Sequence, residues 1–450
     1  MINSSETPHS FALISLGCAK NQVDAESMSG LLMAAGFTSV GDPAQAEVII
    51  VNTCGFIQSA KEEAIDTIFE MSDYKTDGAC KALIVTGCLS QRYGGDMLSE
   101  MPEVDAFVGI GHIDEIVEIV LRALSPSGER FVLSERVYSF PKTERAVSTA
   151  PRYAYLKVAD GCDNRCAFCA IPGIRGGYIS RPFEELIDEA DKLADMGFSE
   201  IILIAQDTTR YGMDIYGKPR IIELLEKLSE IDGIRWIRPM YFYPDIISHE
   251  LIDTMASLPK VCNYIDLPLQ HIDDELLKVM NRRGGSDGIK DIVSHARKKG
   301  EFALRTTLIT GFPGETTEQF ERLLTFVKEY PFDRLGAFAF SQEEGTTAAT
   351  MENQVRPAIR NSRRNKIMAA QRAVSKTLLE KRIGKEYEVI LESLSPEGRY
   401  IGRSAYEAPD VDGCIYVSAD FETSQELDIG KYVQVRITGA HDYDLTGVAL

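Results

Sequence analysis

Gly161-Cys162-Asp163-Asn164-Arg165-Cys166-Ala167-Phe168-Cys169 gathers three of the nine cysteines within eight residues. Its cysteines are spaced CxxxCxxC, directly after an apolar run of strand length at residues 153–159. Three thiolates on one short loop can hold three corners of an iron–sulfur cubane and leave the fourth iron without a protein ligand. An open coordination position marks a catalytic metal site rather than a structural one. The competing readings are a zinc site and a plain electron-transfer cluster. Zinc wants a fourth Cys or His close by, and none lies near.

Downstream of this loop the chain repeats one pattern. Strand-like runs at 153–159, 200–205, 234–241, 263–267, 303–309 and 334–341 alternate with helical patterns such as 183–196, 221–231, 289–299 and 318–330. Six strand–helix units in a row suggest a curved, incomplete (β/α)6 barrel more than an open sheet. In barrels the C-terminal strand ends form the active site. Gln206-Asp207 ends the second strand here, and Thr307-Leu308-Ile309-Thr310-Gly311-Phe312-Pro313-Gly314-Glu315 ends the fifth. S-adenosylmethionine can take the open iron through its amino and carboxylate groups, and an electron from the cluster then releases a 5′-deoxyadenosyl radical. The cofactor carries that chemistry and the protein holds it. Phe168, Gln206 and Gly311 are the candidate cofactor-binding residues, and Cys162, Cys166 and Cys169 the candidate catalytic cluster ligands.

Upstream, residues 11–124 form another strand–helix series, with strand-like runs at 11–16, 47–52, 81–86 and 105–109 and helical stretches such as 60–71 and 114–124. Alternation of this kind implies a parallel, doubly wound sheet. Cys18, Cys54 and Cys88 each follow one of these strands. In a parallel sheet such positions lie along the edge where open α/β sheets bind ligands. They are candidate ligands of a second cluster. The bland reading is three inert cysteines after strands. Cys80, Cys262 and Cys414 read as small buried apolar residues.

Residues 125–151 read as a connector with two short β-like runs, and 356–382 as a basic helix with nine Arg and Lys residues. From 385 onward, short alternating strands broken by Gly, Pro and Asp suggest a small antiparallel β-barrel. The boundaries expected are 9–125, 148–382 and 383–450. The 450 residues, net charge −20 and nine cysteines describe an acidic multidomain chain without a disulfide framework. Acidic chains are repelled by phosphate backbones, which counts against a nucleic-acid substrate. No run of 18 apolar residues occurs, so no membrane span is expected. The polar first ten residues lack a secretory pattern, and the expected compartment is the cytoplasm.

The chain resembles the methylthiotransferases of the radical SAM superfamily over nearly its whole length. The motifs are Gly17-Cys18-Ala19-Lys20-Asn21, Asp24-Ala25-Glu26, Asn52-Thr53-Cys54-Gly55-Phe56, Gly87-Cys88-Leu89, the cluster loop with Phe168 before its last cysteine, and a C-terminal stretch like a TRAM domain, an OB-like barrel. Ala19 and Ala25 depart from the family's usual proline and serine. Gln206 through Gly212, Tyr241-Phe242-Tyr243-Pro244 and Asp266 through His271 are similar to the branch that modifies small-subunit ribosomal protein twelve rather than tRNA. The resemblance implies two 4Fe–4S clusters, with Cys18, Cys54 and Cys88 presenting the sulfur and Cys162, Cys166 and Cys169 generating the radical. It implies methylthiolation of the β-carbon of an aspartate and a low-potential electron donor such as flavodoxin or ferredoxin. Methylthiolation of a modified adenosine in tRNA is the alternative, and a non-catalytic iron–sulfur carrier a third. Residues 385–450 hold 13 acidic and 5 basic side chains, so a basic protein suits this barrel better than RNA, and direct RNA binding is not expected. His271 reads equally as a hydrogen-bonded structural residue and is left outside the catalytic set.

Overall fold

The computed structural model describes residues 9–126, 128–149, 152–419 and 427–450. The polar start of the chain through residue 8, Pro151 at the end of the connector, and residues 420–426 of the C-terminal region lie outside the described residues. The chain divides into two compact units: Met1–Ser148 with Asp160–Ile179 and Ser341–Ala349, and Thr149–Ala159 with Ser180–Phe340 and Thr350–Leu450. The cluster loop thus packs with the N-terminal sheet, although the sequence boundary at 148 separates the two.

In the first unit six parallel strands run in the order β2-β1-β3-β4-β5-β6. They are β1 Ser10–Ser15, β2 Thr38–Ser39, β3 Val48–Thr53, β4 Ala82–Gly87, β5 Ala106–Val108 and β6 Phe131–Leu133. Every residue of β3 and β4 is buried, because helices cover both faces. Alternation along the strands sends Ile50 and Ile84 to one core with Met28 and Leu32 of α1 (Ala19–Ala34). It sends Ile49, Val51, Leu83 and Val85 to the other, with Ile68 of α2 (Gln58–Asp77) and Leu89 of α3 (Cys88–Glu100). The two-residue edge β2 is not among the strand-like runs of the sequence, and β6 is one β-like run of the connector, paired into the sheet.

The remainder of the connector covers the polar side of α1. Tyr138 Oη donates to Asp24 at 3.0 Å and Arg145 pairs with Glu26 at 2.7 Å. A side chain at Gly30 would meet the Glu144 carbonyl at 2.0 Å. The connector is therefore a strap that lets Asp24 and Glu26 be buried with partners.

In the second unit the six anticipated strands are present: Tyr153–Lys157, Glu200–Ile204, Trp236–Pro239, Tyr264–Asp266, Ala303–Thr310 and Arg334–Ala339. They form two three-stranded parallel sheets. A single parallel bridge, Ile237 to Val261, and the bond from Phe242 N to Asp266 O (2.8 Å) carry the arc across the gap between them. Pro239 has no N–H to extend the ladder there. Among the described residues no pairing joins the first strand to the last, so the barrel is open.

The helix Pro357–Glu380 follows, and then a closed five-stranded barrel ordered Glu386–Leu394, Tyr400–Ser404, Ile415–Ser418, Leu445–Ala449, Tyr432–Ala440. The pair Ile415–Ser418 with Leu445–Ala449 is parallel and the other four are antiparallel. Residues 403–412 meet the N-terminal strand ends of the open barrel and the end of the preceding helix. Arg403 pairs with Glu200 at 2.5 Å, Glu407 with Arg382 at 2.6 Å, and Tyr264 Oη donates to Asp412 at 2.7 Å.

Candidate iron–sulfur and S-adenosylmethionine site

Cys18, Cys54 and Cys88 follow β1, β3 and β4, three neighbouring strands of the sheet. The strand order reverses at β1/β3, the place where doubly wound sheets bind ligands. Cys18 is the N-cap of α1 and Cys88 opens α3. Helix N-termini favour thiolate over thiol. The three turns are packed against one another. A Cβ on Gly17, which has φ +93°, would lie 2.7 Å from Cys54 Cβ, and one on Gly55 would lie 2.7 Å from Leu89 N.

Asn21 ties these turns together. Its Nδ2 donates to Leu16 O at 3.1 Å and to Thr53 O at 2.9 Å, and its Oδ1 accepts from Cys88 Sγ at 3.7 Å. Crowding by protein would raise the Cys18 thiol, but the charges of Lys20 and Arg175 and the backbone N–H groups of Asn21 and Lys20 bring it below its usual value. Burial pushes the Cys54 thiol up and the Cys88 thiol up to about 11.

The second cysteine set sits on a loop that only glycine allows to close. Gly161 has φ +74°, and a Cβ there would lie 2.0 Å from the Gly177 carbonyl. Cys162 N donates to Gly176 O at 3.1 Å and Cys169 N to Cys166 O at 3.0 Å. Cys162, Cys166 and Cys169 are partly exposed and unbridged, as is their neighbour Phe168 in exposure. The loop leads into α5 (Ile171–Arg175), whose Ile174 packs with Cys88 and Ala170.

At the end of α5, buried Arg175 contacts Asp160 at 2.6 Å, Asn21 Oδ1 at 2.6 Å and Asp24 at 3.1 Å. The structure thus brings both cysteine sets into one unit. Asn21 and Asp24 entered the sequence reading only as parts of family motifs, without a role, and Arg175 was not singled out at all. The available signal was α1 itself, which buries Lys20, Asn21, Asp24 and Glu26 where an amphipathic helix would bury apolar residues.

The chemistry of the donor sets suits iron–sulfur clusters. Each set offers three thiolates, and one has a buried guanidinium beside it to balance negative charge. Among the described residues no three His, Cys, Asp or Glu side chains gather around a single ion, and a four-iron cubane spaces its thiolates more widely than one ion does. Of the other cysteines, Cys80 and Cys262 are buried and Cys414 is half-buried.

In the second unit Gln206 follows the strand Glu200–Ile204 and is half-buried. Gly311 has φ +72°, and the space for a side chain there is taken by Arg360, whose Cγ lies 2.3 Å from an ideal Cβ. Its N–H donates to Glu315 at 2.5 Å, and Glu315 pairs with Arg363 at 2.5 Å. His271 accepts from Asp273 N on Nδ1 at 3.0 Å and faces Glu315 with Nε2 at 3.3 Å. It is a hydrogen-bonded support of the Gly311 turn. Tyr241 (φ 64°) and Gln270 (φ 70°) follow the third and fourth strands at positive φ, strain of a kind that collects at functional sites.

Three family models match: the uncharacterized protein family UPF0004 at residues 10–109, the radical SAM superfamily at 156–327 and the TRAM domain at 383–450. The fold is similar to that of a radical S-adenosylmethionine methyltransferase, TsrM, from Kitasatospora setae, solved with cobalamin and a 4Fe–4S cluster bound (TM-score 0.52, 14% identity, 74% of this chain and 72% of that one). Among curated proteins, the ribosomal protein uS12 methylthiotransferase RimO of Desulforamulus reducens is 47% identical over 97% of this chain and 99% of its own length. The protein of the same name from Clostridioides difficile is 46% identical over 98% of both. No described helix is long and apolar enough to cross a membrane. With that identity over nearly all its length, the chain belongs to the RimO family of ribosomal protein uS12 methylthiotransferases, radical SAM enzymes that use an iron–sulfur cluster and S-adenosylmethionine.

Proposed function

We propose that the chain inserts a methylthio group at the β-carbon of an aspartate in ribosomal protein uS12, using two 4Fe–4S clusters, one on Cys162, Cys166 and Cys169 and one on Cys18, Cys54 and Cys88. The observation that carries this reading is the packing of the cluster loop, through α5, onto the turn of Cys88 within one unit. When bound, the first cluster with S-adenosylmethionine supplies radical removal of hydrogen from an unactivated carbon, and the second supplies sulfur.

The chain's own residues orient and shield those groups. Gly161 closes the cluster loop against the Gly177 carbonyl at a spacing that leaves no room for a side chain on residue 161. Phe168, Gln206 and Gly311 are the residues assigned to S-adenosylmethionine on sequence grounds, and Glu315 accepts from the Gly311 amide. The functional divisions are residues 9–125, 148–382 and 383–450, and the compartment is the cytoplasm. The electron donor is a low-potential protein of the flavodoxin or ferredoxin class. Of the basic stretch, Arg360 and Arg363 are buried in protein contacts and are not free to meet RNA.

The test is anaerobic reconstitution with iron and sulfide, then incubation with S-adenosylmethionine, reductant and either uS12 or unmodified tRNA, with mass spectrometry of each. A methylthio gain on an aspartate of uS12 is expected. A gain on tRNA nucleosides instead would overturn the substrate assignment and leave the cluster assignment standing.

A further inference from the structure

The guanidinium of Arg175 bridges the polypeptide at the two cysteine sets. Its Nη1 holds Asp160, two residues before Cys162, at 2.6 Å. Its Nη2 holds Asn21 Oδ1 at 2.6 Å and Asp24 at 3.1 Å, both on the helix that Cys18 caps. Asn21 has no freedom to turn away. Its Nδ2 is spent on the carbonyls of Leu16 and Thr53, next to Cys18 and Cys54, and its Oδ1 also accepts from Cys88 Sγ. One asparagine therefore ties the Cys18 and Cys54 turns together, and one arginine fixes that asparagine to the root of the cluster loop. Arg175 and Asp24 are almost entirely buried, at 3% and 2% exposure, so their charges act at short range with little screening.

We propose that Arg175 is a positioning and tuning residue that couples the two clusters. It fixes the second cluster's ligands relative to the first, and its charge, set against that of Asp24, adjusts the reduction potential of the second cluster. This rests on the two-cluster reading above. The planar fork matters as well as the charge, because three oxygens on two sides of the site are held at once. Lysine supplies the charge without the fork.

A buried positive charge beside a cluster stabilises its reduced, more negative form, and a buried carboxylate opposes that form. Opposite substitutions should therefore move the potential in opposite directions, which a merely structural role would not do. The measurement is redox titration, followed by electron paramagnetic resonance, of the chain carrying Cys162→Ala, Cys166→Ala and Cys169→Ala, so that only the second cluster is read. Adding Arg175→Gln should lower its midpoint potential, and adding Asp24→Asn, which preserves size, should raise it.

In the otherwise native enzyme, Arg175→Lys should still cleave S-adenosylmethionine but release several-fold more 5′-deoxyadenosine per methylthio product. Unchanged potentials, or shifts of the same sign in both variants, overturn the proposal. So does a lysine variant with the native ratio. If Arg175→Gln does not fold, the upward shift in Asp24→Asn still decides the matter. Absence of any cluster in the triple-alanine chain refutes the two-cluster reading itself, a different outcome from a cluster whose potential ignores Arg175.

Discussion

Gly17 shows how much of this site depends on single backbone positions. Its φ of +93° and the 2.7 Å approach to Cys54 leave no room for a methyl group. An L-residue in left-handed geometry costs about 1–2 kcal/mol before any clash. Gly17→Ala should cost at least that and displace the Cys54 turn. The expected outcome is loss of iron from the N-terminal set with S-adenosylmethionine cleavage retained, read by iron analysis and by 5′-deoxyadenosine release. A variant holding its full iron would show that the turn tolerates movement. The six cysteines proposed as ligands stand out in sequence because each follows a strand or sits in a tight spacing motif. Arg175 does not. Its partners Asn21 and Asp24 lie more than 150 residues away, and no local pattern reports a contact of that range.

Among the elements, the helix Pro357–Glu380 departs most from what its composition suggests. A run of basic residues invites a nucleic-acid reading, yet two of its arginines point into the protein. Arg360 fills the space beside Gly311, and Arg363 pairs with the buried Glu315 that holds the Gly311 amide. Removing one partner of a buried pair costs about 3–5 kcal/mol, because the other charge is stranded. Arg363→Ala should accordingly destabilise the chain and weaken S-adenosylmethionine binding together, as seen in melting temperature and in equilibrium dialysis. Normal binding in a destabilised variant would separate the helix from the cofactor turn. The alternation of strands and helices was readable from apolar periodicity, so all six strands of the open barrel were anticipated. The break at Pro239 and the parallel closing pair of the C-terminal barrel follow from long-range pairing that periodicity does not encode.

For the chain as a whole, charge that looks like surface in the sequence is partly internal. Glu407 and Asp412, counted in the acidic C-terminal region, are each 1% exposed as side chains and pair with the N-terminal strand ends of the open barrel. They contribute nothing to an acidic docking face. Burial alone would raise the Glu407 carboxyl, but Arg382 and Arg334, helped by Ser404 Oγ, hold it down at about 2, below its ordinary 4.5. A depressed carboxyl adds stability that is complete above its unfolded value and is lost as pH falls toward its folded one. The contribution, about 3 kcal/mol, should thus disappear between about pH 4.5 and 2. Denaturant unfolding of the iron-free chain at pH 5 and pH 3 checks this. Glu407→Gln should be the less stable at pH 5 and show the smaller drop on acidification. Equal drops in both chains would place the acid sensitivity elsewhere.

At the same scale, the proposal that each cysteine set holds its own cluster is checked by counting iron. After anaerobic reconstitution, the unsubstituted chain should hold about eight irons, and chains lacking either Cys18, Cys54 and Cys88 or Cys162, Cys166 and Cys169 should hold about four each. An unsubstituted chain with only about four irons, all of them lost with the Cys162 set and none with the Cys18 set, would contradict the account.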